Sequence, residues 1–224
     1  PYPLRHMSHR TRRATGLVMA ASLALTACAT GDWTGDAADP DVAVLGDSLV
    51  FHSEQGSIFS SDTLITDDLV AAGNHAWVTG WSGLTFAEGY PDVWDVPSRQ
   101  AITPDVLVIA LGTNDMRIMP GETEPRTTVE AVRPLVAAWL AEVPAACVRL
   151  IGPSDSITGW GLDVTAPPFN TMLAEEAALH ADAEYVAWNP DPAWTNNGAE
   201  PHLTQAGRDA YRALIVAEVA DCQA

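Results

Sequence analysis

The stretch Val42-Ala43-Val44-Leu45-Gly46-Asp47-Ser48-Leu49 constrains this chain more than any other. Four apolar residues in succession, two of them β-branched, predict a short buried strand. Gly46 and Asp47 then break it and leave Ser48 where the next helix begins. In an open α/β sheet, ligands bind beyond the carboxyl ends of the central strands. A serine at that point presents its hydroxyl above the sheet and has its own backbone N–H free at a helix start. Ser48 is there either as an N-cap, which serine does well, or as a nucleophile. The rest of the chain decides between the two.

Further along, Val106–Leu111 is a continuous apolar run typical of a strand buried in a parallel sheet. His75–Thr79 reads as a strand by its alternation, Val148–Ile151 as another closed by Gly152-Pro153, and Glu184–Trp188 as a short last one. Between them, helices are expected over Thr127–Glu142, with Val129, Val132, Leu135, Val136 and Leu140 on one face, over Phe169–Ala181 and over Thr204–Ala220. Leu49 to Ala72 is helical or mixed, and residues 81–104 form a long connection rich in Gly, Pro and Trp. Strands alternating with helices imply βαβ units, parallel pairing and right-handed crossovers. The fold class is α/β: a three-layer α/β/α sandwich around a flavodoxin-like, five-stranded parallel sheet.

The amino-terminal part follows different rules. Ser8-His9-Arg10-Thr11-Arg12-Arg13 is basic, Leu17 to Leu25 is apolar and small, and Leu25-Thr26-Ala27-Cys28 follows, the pattern of an export signal. Leu-Thr-Ala-Cys resembles the bacterial lipobox, in which the cysteine carries the lipid. Residues 1–27 are accordingly expected to be upstream residues plus signal peptide, residues 28–40 a Gly/Asp-rich linker from an anchor at Cys28, and residues 41–224 one domain. The expectation is an exported protein, a cell-envelope lipoprotein or a secreted one. All 11 basic residues are arginine, and the formal net charge is −18. Such a surface repels nucleic acid, which is excluded as a partner, and membrane contact is expected only through the lipid. The domain is expected to act as a monomer. No metal-ligand spacing such as C-x-x-C occurs, so neither metal nor organic cofactor is expected. Cys147 precedes a strand at the amino edge of the sheet, and Cys222 ends a helix that runs back to that edge. In an exported protein a disulfide between them is expected.

Four segments carry chemistry. Ser48 follows the first strand, Gly83 of Gly80-Trp81-Ser82-Gly83-Leu84 the second, and Asn114 of Leu111-Gly112-Thr113-Asn114-Asp115 the third; His202 of Pro201-His202-Leu203-Thr204 precedes the last helix. Singly they read as a cap, a loop glycine, a turn asparagine and a helix-start histidine. In a parallel sheet all four share the carboxyl edge, and together they supply nucleophile, base, backbone donor and amide donor for acyl transfer.

These blocks, in this order, resemble those of the GDSL/SGNH hydrolase family. The resemblance implies a three-layer fold and Ser-His hydrolysis of esters, with Ser48 as nucleophile and His202 as base. It implies an oxyanion hole made of the Ser48 and Gly83 backbone N–H groups and the Asn114 side-chain amide. The family pattern has an aspartate three residues before the histidine, where this chain has Ala199. Glu200, two before it, is the candidate acid; a backbone carbonyl is the alternative for orienting the imidazole. Trp81 and Trp160, on carboxyl-edge loops, are the better candidates for stacking on sugar. His52, His75 and His180 have no assignable partner.

The expected function is therefore an extracytoplasmic serine esterase acting on acyl or acetyl esters of glycans or lipids through an acyl-enzyme. Its rival is a non-catalytic glycan- or lipid-binding lipoprotein on a decayed hydrolase scaffold, which Ala199 alone supports. A flavodoxin-like nucleotide or flavin binder ranks lower, because Asp47 stands where a phosphate would sit.

Overall fold

The computed structural model describes residues 40–54, 64–89, 103–195 and 201–224, all within the unit Gly31–Ala224. The expected signal segment with Cys28, and Ala199 and Glu200, lie outside the described residues.

Among the described residues the sheet has five parallel strands: β1 (Val42–Gly46), β2 (Ala76–Gly80), β3 (Val106–Ala110), β4 (Cys147–Ile151) and β5 (Ala183–Val186). Their order is β2-β1-β3-β4-β5, the doubly wound arrangement expected of alternating strands and helices. β1 lies between β2 and β3, and its end is in register with both neighbours, Gly46 facing Gly80 and Ala110. The loops after these three strands therefore leave the sheet at one level.

Alternate strand residues feed two cores. Ala43, Leu45, Leu107 and Ile109 face α5 (Val129–Glu142) and α6 (Leu162–Ala177), meeting Val136, Trp139, Phe169 and Leu173. Val42, Val44, Val106 and Val108 face α1 (Ser48–Glu54), α2 (Ile65–Ala71) and α7 (Gln205–Cys222), meeting Val50, Leu69, Tyr211 and Ile215. Two short helices, α3 (Phe86–Glu88) and α4 (Thr113–Met116), interrupt the loops after β2 and β3.

Two features depart from the sequence reading. In α5 the buried face includes Trp139, while Leu135 is only half-buried. α6 begins at Leu162, not Phe169, and runs through Pro167 and Pro168. Those prolines lack the N–H groups that would bond the carbonyls of Asp163 and Val164. Asp163, Val164 and both prolines are exposed, so the freed carbonyls lie on the solvent side and the helix continues on its buried side.

The amino edge is tied down separately. Cys147 and Cys222 are joined by a disulfide with Cα atoms 5.9 Å apart. Arg149, buried on β4, donates to Glu218 at 3.1 Å and Asp221 at 2.8 Å, both near the end of α7.

Candidate active site

Gly46 sits where β1 turns into α1. A Cβ there would lie 2.2 Å from Val50 Cγ2, so only glycine lets the first helical turn fold back over the strand end. Asp47 then fixes the turn: its backbone N–H donates to Ala110 O (3.2 Å) and its Oδ1 accepts from Leu49 N–H (2.9 Å). Burial pushes the Asp47 carboxyl up to about 6, opposed by the Leu49 N–H, by Thr113 and by the charge of Arg117. Ser48 is the first residue of α1 and is buried at its mouth.

The loop after β2 begins with Trp81 N–H donating to Gly46 O (3.1 Å) and closes with Leu84 N–H donating to Trp81 O (3.2 Å). Gly83 within it has φ +87°, with open space where a Cβ would point; backbone conformation, not room, calls for glycine here. The Arg126 guanidinium holds this loop from outside, donating to Gly83 O (3.1 Å) and Glu88 Oε1 (3.0 Å). A cavity of about 270 Å³ lies against Trp81, Ser82, Gly83, Leu84 and Glu88.

The loop after β3 is locked to the one after β2. Asn114, buried, donates from Nδ2 to Leu84 O at 3.1 Å; the same –NH2 group carries a second N–H. Its neighbour Asp115 accepts the Phe86 N–H at 3.1 Å through Oδ2. Burial pushes the Asp115 carboxyl up to about 7, and the Asp47 charge adds to this against the Phe86 N–H. Gly83 and Asn114 thus belong to one cross-linked unit.

His202 arrives from the other end of the chain, two residues before Thr204, which caps α7 by accepting Gly207 N–H (3.3 Å). Its imidazole lies between two rings: His52 at 5.0 Å and Trp160 at 5.6 Å, centroid to centroid, the second edge-on at 85°. His52 stands four residues after Ser48 on α1, hence on the same helical face. The base expected for Ser48 is therefore lodged one turn along the helix that Ser48 begins. Burial pushes His52 down to about 4, aided by the charges of His202 and Arg208. The sequence reading assigned His52 nothing, although its spacing from Ser48 was the available signal.

Trp160 has φ +62°, the left-handed region and unusual for a side chain of this size. Ile118 N–H donates to its carbonyl at 2.7 Å, and the Arg117 guanidinium carbon lies 5.5 Å from its ring centroid. Asp47, Ser48, Gly83, Asn114 and His202 are thus all placed at the carboxyl edge of the sheet. Glu200 is outside the described residues. Among the described residues no group of three or more His, Cys, Asp or Glu is placed to hold a metal.

A five-stranded parallel sheet in this order, with these blocks beyond its carboxyl edge, defines a three-layer α/β/α ester hydrolase. The sequence profile of the GDSL-like Lipase/Acylhydrolase family matches residues 44–210, and the chain belongs to that family. Solved structures with the same fold include a carbohydrate esterase family 2 enzyme plus carbohydrate binding domain from Corynascus thermopiles (Myceliophthora fergusii), at 20% identity and TM-score 0.60, covering 85% of this chain and 68% of that one. They include a catalytic mutant of an acetylxylan esterase from Geobacillus stearothermophilus, at 16% identity and TM-score 0.58, covering 83% and 96%. A third is the C-terminal catalytic domain of peptidoglycan O-acetyltransferase A from Streptococcus pneumoniae, with a methylsulfonyl adduct, at 14% identity and TM-score 0.60, covering 83% and 95%. At these identities the likeness carries the fold. A comparison with curated proteins gives no match.

Proposed function

We propose that this carboxylic ester hydrolase is an extracytoplasmic serine esterase that removes acyl or acetyl groups from glycans or lipids through an acyl-enzyme. The observation that carries the reading is the packing of His202 against His52, one helical turn from Ser48. Ser48 Oγ attacks the ester carbonyl carbon while its proton passes to His202. The tetrahedral oxyanion is met by the backbone N–H groups of Ser48 and Gly83 and by Asn114 Nδ2. Collapse breaks the bond to the alcohol, which leaves with the proton from His202. Water then attacks the acyl-Ser48 carbonyl, gives its proton to His202, and the carboxylic acid departs as Ser48 regains its hydrogen. Glu200 or a backbone carbonyl orients the imidazole.

Acetylated sugars are favoured within this class by the names of the structural neighbours, which include an acetylxylan esterase and a peptidoglycan O-acetyltransferase. Export rests on the basic, then apolar, amino-terminal pattern, and anchoring on Cys28 within Leu25–Cys28. Among the described residues no helix is long and apolar enough to cross a membrane.

The test is hydrolysis of p-nitrophenyl acetate, butyrate and octanoate by wild type, Ser48→Ala and Glu200→Ala. Activity lost in Ser48→Ala supports the mechanism, and the chain-length series narrows the acyl group. A large loss in Glu200→Ala selects the triad, and a small one the backbone carbonyl. Wild type indistinguishable from Ser48→Ala on every ester hands the case to the binding-protein reading.

A further inference from the structure

The arginines of this domain are not alike. Among the described residues, Arg126 pairs with Glu88, Arg133 with Glu175 and Glu176, Arg149 with Glu218 and Asp221, and Arg212 with Asp68 and Asp209. Arg208 donates to Leu203 O and Gln205 Oε1. Arg117 has no carboxylate of a described residue within ion-pair distance, and its buried Nε has no hydrogen-bond partner among them. In a chain with 29 acidic residues against 11 basic ones, a half-buried arginine with no carboxylate of a described residue within ion-pair distance is worth explaining.

Its position gives the exception meaning. Arg117 caps the end of α4, the helix that carries Asn114, and its charge is felt by Asp47 beside Ser48. Its guanidinium is 5.5 Å from the Trp160 ring, and that ring is 5.6 Å from His202. The cation and the reacting histidine thus both lie against one indole ring. Trp160 holds this place on a left-handed backbone conformation, which persists where the surroundings enforce it, often at functional sites. Here the Ile118 N–H bond to its carbonyl does so, and Gly161 is pinned next to it, since a Cβ there would meet Ile118 Cδ1 at 2.8 Å.

We propose that Arg117, stacked on Trp160, is a recognition subsite for a carboxylate carried by the substrate next to the scissile ester, so that the preferred substrates are acylated acidic sugars. The inference rests on the esterase reading and deepens it. A guanidinium presents paired N–H donors that match a carboxylate, and the indole offers a flat face to the sugar. The acidic surface repels anions at a distance. A cation without an internal ion pair at the site is what admits one there, and it excludes nothing neutral sterically. Selectivity therefore takes the form of preference.

The test compares acetate release from O-acetylated methyl glucuronoside with release from its O-acetylated glucuronamide counterpart, which lacks the charge. Alongside it, unacetylated glucuronic acid and glucuronamide are titrated as inhibitors of p-nitrophenyl acetate hydrolysis, so that the subsite is read whichever hydroxyl carries the acetyl group. Wild type is expected to favour the acid by about ten- to a hundredfold in kcat/KM or in inhibition constant, the scale of a charge-assisted hydrogen bond. The preference should weaken with added salt, reside in KM more than in kcat, collapse towards unity in Arg117→Gln and survive in part in Arg117→Lys. Equal handling of acid and amide by wild type, or a preference that persists in Arg117→Gln, overturns the subsite while Ser48-dependent hydrolysis of p-nitrophenyl acetate leaves the esterase reading standing. Loss of that hydrolysis in wild type overturns the esterase reading itself.

Discussion

The imidazole of His52 lies 5.0 Å from that of His202, tilted by 42°. In the proposed mechanism His202 becomes an imidazolium at each tetrahedral step, so the charge of its neighbour matters. Burial, with the charges of His202 and Arg208 acting in the same direction, holds His52 neutral down to about 4. A neutral ring packs against the imidazolium without repelling it. His52→Lys places a cation in that position. It is expected to lower kcat about tenfold or more, the order of one unit-charge repulsion at this range after partial screening, and to move the acid limb of the kcat/KM profile to lower pH. His52→Gln should keep the limb in place. Identical pH profiles for the two variants would refute the electrostatic part of this account.

The proposed mechanism gives the Asn114 side chain two tasks. Its Nδ2 bonds Leu84 O, and in the proposed mechanism its amide also meets the oxyanion. Asn114→Ala should therefore lower kcat by about 10²–10³, the usual loss for one such donor. It should also lower the unfolding midpoint, because Leu84 O loses its partner, at a cost of about 1–3 kcal/mol. Steady-state kinetics and thermal unfolding measure the two effects separately, and a drop in stability with kcat intact would remove Asn114 from the oxyanion hole.

What the sequence made legible were features written in consecutive or periodic residues. Val42–Leu45 and Val106–Leu111 are short apolar runs, and β1 and β3 occupy them within a residue at each end. The turn residues that follow announced the carboxyl edge. The start of α6 was hidden because its proline pair looks like a terminator in sequence, whereas here the helix carries both prolines on its exposed side. Trp139 was missed because the face of α5 is fixed by what it meets, here Phe86 edge-on at 5.9 Å. Arg117 was unreadable for a related reason: its significance lies in Trp160, from the loop after β4 and distant in sequence, while His52 offered only its spacing from Ser48.

Asp115 and His52 pull stability in opposite directions with pH. The Asp115 carboxyl, raised from its ordinary 3.8 to about 7, keeps its proton in the fold while the unfolded chain ionises. Its contribution is full below about pH 4 and is lost as pH rises through 7. Asp47, raised to about 6, acts the same way. His52, lowered from 6.5 to about 4, loses its contribution as pH falls through that interval. Asp115→Asn should therefore flatten the decline of the unfolding midpoint between pH 5 and about 8, while His52→Gln should raise the midpoint near pH 5 relative to pH 7. Unchanged slopes in thermal unfolding series across that range would sink the assignment.

The disulfide should matter for stability and not for turnover. It joins residues separated by 75 positions, so removing it frees a long loop in the unfolded chain and costs about 4 kcal/mol in the chain-entropy account. For a domain of this size that corresponds to a fall of roughly 10 °C in Tm. The bridge lies at the amino edge of the sheet, the end opposite Ser48 and His202. Arg149 also ties the carboxyl end of α7 to the sheet, through Glu218 and Asp221. A Cys147→Ser, Cys222→Ser double variant should accordingly unfold earlier yet hydrolyse p-nitrophenyl acetate at 25 °C with wild-type kcat, and a reducing agent should shift only the wild-type midpoint. A fully folded double variant with depressed kcat would show instead that the amino edge and the carboxyl edge are mechanically coupled through α7.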